Sequence, residues 1–286
     1  MSSSTWGSWF IHDEVEMVDP DGMSIWYLGC NGFILRTVQT TVIVDPYLGA
    51  GRPPQLVRMQ PIPFHPHAVT DCDAVLITHE HLDHMHPPSI VPLVRDLGAA
   101  LYAPAAAYDE PDLPVDRPAF RGRDHVVSPG DVIDLGDLTV AVHEANDPDA
   151  IEPVTYVVEH DRGTLFLGGD TRESPTFHSL GEQYEIDLGI LATGSVGRQY
   201  FPETDEVRTR TVYMDEDEVI AAANALALDR LAPVHQSMWR GVTADTAGLA
   251  TRRASFAYPR VIEPMTIGDR LAIDRPGVLP PTVLDD

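Results

Sequence analysis

Residues 78–86 read THEHLDHMH and hold four histidines and two carboxylates. Neutral imidazole and carboxylate are the side chains that suit zinc, manganese or iron. His79 and His81 are separated by one residue, as are His81 and Asp83, and His84 follows at once. A loop with that spacing can aim alternate side chains at one metal ion and the remaining two at a neighbour. Two more candidates lie downstream: Asp170 in TLFLGGDT (164–171) and His235 in RLAPVHQSMW (230–239). Each follows an apolar run, and the Gly-Gly before Asp170 lets that residue approach closely. Alone, each would read as a cap or turn residue; beside the first cluster they read as ligands.

The flanking pattern indicates what positions them. SIWYLG (24–29), GFILRT (32–37) and TVIVDP (41–46) are β-rich runs whose short turns predict an antiparallel meander. The apolar strand Ala74–Ile77 runs into the histidines, and a helical pattern begins after Pro88. The cluster therefore sits on the loop leaving a buried strand, where αβ architectures present their ligands. No short repeat or low-complexity segment divides the 286 residues, so one domain spanning 1–286 is expected. Within it, 1–20 reads as an N-terminal extension and 275–286 as a loosely held tail. The proline-rich passages at 51–66 and 111–118 read as surface loops.

Charge sets further bounds. Against 44 acidic residues stand 19 basic ones, a net charge of −25, and every basic residue is arginine. Such a surface repels nucleic acid and anionic membranes, so neither is expected as a partner. No stretch reaches the ~18 consecutive apolar residues of a membrane span. The first twenty residues lack the basic and apolar regions of a secretory signal. Cys30 and Cys72 have no CxxC spacing, and both read as small core hydrophobes of a reduced, cytoplasmic protein. The lysine-free acidic composition suits either a cytosol at high salt or a GC-rich genome.

HxHxDH after a strand, a later GGDT and a late strand–His together resemble the metallo-β-lactamase superfamily. That resemblance implies an α+β fold, the αββα sandwich, with two mixed sheets face to face, helices outside and a dinuclear metal site at one edge. A closer resemblance is to the L-ascorbate-6-phosphate lactonase branch. It is carried by WGSW (6–9), WYLGCNGF (26–33), VDPYLG (44–49), DAVLITHEHLDH (73–84), SPGDVI (128–133), GGDT and PVHQSMW (233–239). The chain is shorter than those lactonases, and Arg172 stands where they tend to carry histidine.

By this resemblance His79 and His81 hold one metal, and Asp83 and His84 the other. Asp170 bridges the two, His235 completes the second, and Asp45 supports the metal loop by hydrogen bonding. The last ligand of the first metal lies in LTVAVHEANDPDA (138–150). Counting from SPGD selects Asp147, with His143 as the alternative. The carboxylate would favour manganese over zinc, with iron also compatible. His65, His67 and His86 fall outside the ligand pattern, and Trp26 reads as packing.

The implied cofactors are two divalent metal ions, and the implied reaction is hydrolysis by a metal-bound hydroxide. Asp83 would both ligate and pass a proton to the leaving alkoxide, which makes it the catalytic residue. The expected substrate is a small-molecule lactone or ester, for instance a sugar-acid phosphate lactone. Arg172, Arg198, Arg240 and Trp239 are the substrate-binding candidates. A metal-dependent phosphodiesterase or nuclease and a non-catalytic metal-binding protein are the rival readings. Net charge and length count against the nuclease, and the intact ligand set counts against the scaffold. Self-association into a homo-oligomer is left open.

If the acidic surface is a salt adaptation, screening of carboxylate repulsion should stabilise the fold. The thermal midpoint should then rise between low and molar KCl; a flat or falling midpoint would remove the argument.

Overall fold

In the computed structural model, residues 6–194 and 196–275 are described; all but the first residue of the tail segment 275–286 lies outside them. Strands β1 (Met23–Gly29), β2 (Gly32–Arg36) and β3 (Thr41–Val44) form the antiparallel meander expected from their sequence. A small hairpin, β4 (Gly51–Arg52) and β5 (Leu56–Val57), follows within the proline-rich passage. Next to β3, β6 (Ala74–Leu76), β7 (Ala100–Ala103) and β8 (Asp124–Val126) then add in parallel. Parallel neighbours need crossovers, and these contain α1 (Pro87–Pro92) and α2 (Ala105–Asp109).

The second sheet begins with β9 (Val132–Leu135), β10 (Leu138–Glu144), β11 (Val154–His160) and β12 (Gly163–Leu167), paired antiparallel in turn. Helix α3 (Phe177–Gln183) crosses to β13 (Leu188–Ala192), parallel to β12. A separate ribbon follows, β14 (Val196–Phe201) with β15 (Glu206–Thr211). Then come α4 (Glu216–Ala225), β16 (Arg230–Val234), α5 (Leu249–Arg253) and β17 (Val261–Ile262). β18 (Arg270–Ile273) returns to the first sheet beside β1, so each large sheet has seven strands.

Burial explains the layering. Alternate residues of a strand face opposite sides, and in β1 Met23, Ile25 and Tyr27 point between the sheets while Trp26 and Leu28 point outward. The outward face of the first sheet is covered by α1, α2 and the helical segment Phe10–Glu16, through Phe10, Ile11 and Val15. On the second sheet Val140 and Val142 face inward, whereas Ala141 packs among residues of α3 and α4. Both sheets are thus covered on both sides, which is why their parallel strands read as continuous apolar runs. Burying each large side chain of this kind contributes about 1.5–3 kcal/mol. The four layers are helix, sheet, sheet and helix, the metallo-β-lactamase fold.

Candidate metal centre

Five strands end at one rim. Asp45 directly follows β3, and His235 directly follows β16. His79, Asp147 and Asp170 each lie three residues beyond β6, β10 and β12. The parallel stretches of both sheets run toward this rim, which places these candidate residues outside the carboxyl ends of the strands. Close approach is needed at Gly169, with φ +59°, where an added Cβ would lie 3.0 Å from Thr78.

Each histidine of the metal loop has one ring nitrogen held from outside, so the other faces the cluster. His79 Nδ1 lies 2.9 Å from Thr78 Oγ1, and His81 Nε2 lies 3.2 Å from the Asp149 carbonyl. His84 Nδ1 meets Asp45 Oδ2 at 2.8 Å, which turns Nε2 into the cluster; burial disfavours charge on this ring, but the Asp170 and Asp45 carboxylates outweigh it and hold its pKa well above the usual value. Asp45 also accepts from Thr78 N at 2.9 Å and Thr78 Oγ1 at 2.7 Å. Such outer partners fix ring orientation and tautomer in metal sites.

The inward atoms form two groups. His79 Nε2 and His81 Nδ1 are 2.9 Å apart and lie 3.9 and 4.0 Å from Asp147 Oδ2. His79 Nε2 is also 3.9 Å from Asp170 Oδ2. On the other side His84 Nε2 is 3.3 Å from Asp170 Oδ2, and His235 Nε2 is 3.5 Å from Asp170 Oδ1 and 3.3 Å from Asp83 Oδ2. His84 Nε2 and both His235 nitrogens are buried without a hydrogen bond. His84 Nε2 and His235 Nε2 lie close to carboxylate oxygens yet out of hydrogen-bonding line, as ligands arranged around a cation would. The residues present therefore fit divalent metal ions, with Asp170 shared between the groups.

Electrostatics supports the fit. Burial and the neighbouring Asp170 push the Asp147 carboxyl up to about 6. Burial also disfavours charge on Asp83 and Asp170, but the surrounding histidines, His235 foremost, outweigh it and hold both carboxyls below the usual range. Burial and the His84 ring together keep His79 neutral, with its pKa well below the usual value. A divalent cation requires neutral imidazole beside ionised carboxylate, so its binding would displace the proton that Asp170 and Asp45 hold on His84.

Residues 40–236 match the family described as "Beta-lactamase superfamily domain". The chain belongs to this superfamily. It is 27% identical to the probable L-ascorbate-6-phosphate lactonase UlaG of Escherichia fergusonii, over 84% of this chain and 77% of that protein. Igni18, a metallo hydrolase from Ignicoccus hospitalis KIN4/I, superposes with a TM-score of 0.65 at 18% identity, covering 87% of this chain and 97% of that one. CmlA, a diiron β-hydroxylase from Streptomyces venezuelae, superposes with a TM-score of 0.64 at 17% identity, covering 90% of this chain and 55% of that one.

Within this superfamily fold, a cleft of about 290 Å³ opens on the centre, and His81, Asp83, Asp147 and Asp170 form its floor. Arg198, Arg240 and Trp239 line it, as do Arg210 and Tyr213, which sequence reasoning missed. Arg210 pairs with Asp149, and only the β14–β15 ribbon brings it over the cleft. Arg172 stands outside this lining, because its Nη2 donates to the carbonyls of Thr211 and Val212. Trp239 is buried, and its Nε1 donates to Asp83 Oδ2 at 3.1 Å. His143 turns away, its Nε2 3.1 Å from the Tyr184 hydroxyl of the segment after α3. His86 is engaged by Ser89 Oγ, and burial followed by the nearby Arg58 holds its pKa down to about 4. His65 and His67 stack on each other in their loop, and Trp26 is core.

Asp45→Asn keeps the side-chain volume but removes the charge that orients His84 and Thr78. Metal affinity, read by calorimetric titration of metal-free protein, should fall about 10–100-fold. An unchanged affinity would mean that Asp45 only supports the fold.

Proposed function

We propose that the protein is a metal-dependent hydrolase of small-molecule lactones or esters that carry an anionic group. The observation that carries this reading is the convergence of four inward-facing imidazoles and three carboxylates beneath an arginine-lined cleft. His79, His81, Asp147 and Asp170 would hold one divalent ion. Asp83, His84, Asp170 and His235 would hold the second. Bound metal supplies a Lewis acid for the substrate carbonyl and lowers the pKa of water from 15.7 toward about 7.

The chain's own residues supply the rest. Asp83 is ionised at rest, and Trp239 holds its Oδ2 by a hydrogen bond. Its Oδ1 would then take the proton of the attacking water and return it to the leaving alkoxide. Arg198, Arg210 and Arg240 present guanidinium forks that fit a carboxylate or phosphate on the substrate. A cleft of about 290 Å³ suits a small molecule and leaves no room for a nucleic acid duplex. The likeness to a probable L-ascorbate-6-phosphate lactonase supports an anionic lactone in particular.

Turnover screening on sugar-acid lactones, simple esters, phosphodiesters and RNA tests the reading. Hydrolysis of lactones and esters is expected, and turnover confined to phosphodiesters or RNA would overturn it.

Purified protein should carry about two transition-metal ions per chain by elemental analysis. Asp147→Ala should lose metal and abolish hydrolysis. His143→Ala should keep metal and activity while losing about 0.5–1.5 kcal/mol of stability with its Tyr184 bond. The reverse pattern would assign the ligand role to His143.

Metal uptake should also depend on pH with a definite sign. The metal-free Asp147 carboxyl is pushed up to about 6, so a proton competes with the cation below that value. Affinity should drop by up to about tenfold per pH unit below pH ~6 from this group alone. In the metal-free protein the raised carboxyl adds stability at acid pH that is lost as pH rises through about 6. Metal loading should therefore raise the thermal midpoint far more at pH 7.5 than at pH 5, and an equal shift at both would count against Asp147 as a ligand.

A further inference from the structure

We propose that Cys30 is a thiolate ligand of the second metal position, reaching it from the turn between β1 and β2. The proposal rests on the metal-dependent reading above and adds a sulfur donor to it. Cys30 Sγ, a carboxylate oxygen of Asp83 and a ring nitrogen of His235 lie within 4.8 Å of one another. All three residues are buried, and Cys30 and His235 are fully out of solvent. Neither His235 ring nitrogen has a hydrogen-bond partner, so the buried imidazole has no other use for its nitrogens beside the sulfur.

The surroundings fix this juxtaposition. The Tyr27 hydroxyl accepts the His235 backbone N–H at 3.2 Å and donates to the Cys30 carbonyl at 3.0 Å. One buried phenol thus ties the two backbones into a unit. Cys30 holds φ +52° and His235 φ +73°, left-handed conformations that a side chain larger than glycine adopts at a cost. The Arg58 guanidinium lies nearby, donating to the carbonyls of Tyr47, Gly49, Gln60 and Pro61. Among the described residues it pairs with no carboxylate, so it offers positive charge to an anionic sulfur. Burial and then the Asp83 charge keep the metal-free thiol protonated. On coordination the S–H bond is replaced by a sulfur–metal bond, and the proton leaves to solvent.

The two metal positions are then unlike. His79, His81, Asp147 and Asp170 make a nitrogen–oxygen set that suits manganese. A position with sulfur is softer and favours zinc or iron. Cys72 serves as a control, because it lies in the outer cluster of the first sheet with its Sγ on the Ala74 carbonyl.

Reconstitution of metal-free protein with Co²⁺ tests the assignment by absorption spectroscopy. Wild type and Cys72→Ser should show an intense near-ultraviolet sulfur-to-cobalt charge-transfer band. Cys30→Ser should lose that band while keeping the visible cobalt bands of the first position. X-ray absorption of zinc-loaded wild type should give a sulfur scatterer at about 2.3 Å, a readout independent of whether the variant folds. Bound cobalt without the charge-transfer band, a band that survives in Cys30→Ser, or zinc with only nitrogen and oxygen neighbours would overturn the proposal. Wild type that takes up no cobalt would overturn both it and the metal-dependent reading.

Discussion

The Asp45 carboxylate is wholly out of solvent and accepts hydrogen bonds from Thr78 N, Thr78 Oγ1 and His84 Nδ1. A buried carboxylate is expensive unless such donors fill its lone pairs. Meeting that requirement ties Thr78 and His84, at the two ends of the 78–84 segment, to one carboxylate. Asp45 is itself held by the parallel pairing of β3 with β6, through its N–H on the Leu76 carbonyl at 3.0 Å. The orientation of His84, the tilt of His79 through Thr78 and the entry of Asp83 into the cleft all descend from this one ion. Its φ of +40° places it among the non-glycine residues held in a left-handed conformation.

The centre stores conflict that the surrounding fold holds in place. Asp83, Asp147 and Asp170 share one poorly solvated space, and Asp147 is the one whose carboxyl rises. Asp170 stays ionised because His235 and His84 stand against it and Asn31 Nδ2 donates to its Oδ1 at 2.5 Å. Unpartnered ring nitrogens beside unlike carboxyl groups weaken a metal-free fold and favour a metal-loaded one, since a cation satisfies all of them together. Stability and function are therefore opposed at these residues until the site is filled.

The lining of the cleft is mixed in charge, with Arg198, Arg210 and Arg240 beside Asp112, Asp149 and the carboxylates of the centre. A chain of net charge −25 repels anions at long range. Arg198, Arg210 and Arg240 nevertheless gather on the two segments that overhang the cleft, the β14–β15 ribbon and the loop after β16. Screening limits the distant carboxylates to about 10 Å at ordinary ionic strength, so an anion in the cleft meets mainly these local groups.

Much of this was legible in the sequence, because local signals carried it. Periodicity alone marked the β1–β3 meander and the strand before the histidines. HxHxDH, GGDT and the late strand–His marked the family, and the count from SPGD pointed to Asp147, which the fold brings beside His79, His81 and Asp170. The strand alternation that put His143 on the Ala141 face also removed it from the rim, since that face packs on helices. What the sequence did not determine depended on contacts between distant segments. Arg172 follows Asp170 by two residues, yet its Nη2 donates to the carbonyls of Thr211 in β15 and of Val212. Arg210 had no motif to mark it and reaches the cleft only through the β14–β15 ribbon. Trp239 read as a substrate-binding candidate and Cys30 as a core residue, but the fold brings one to Asp83 Oδ2 and the other within 4.8 Å of Asp83 and His235. Spacing along the chain decides which donors share a loop, whereas the closing of two sheets at one rim decides which loops share a metal centre.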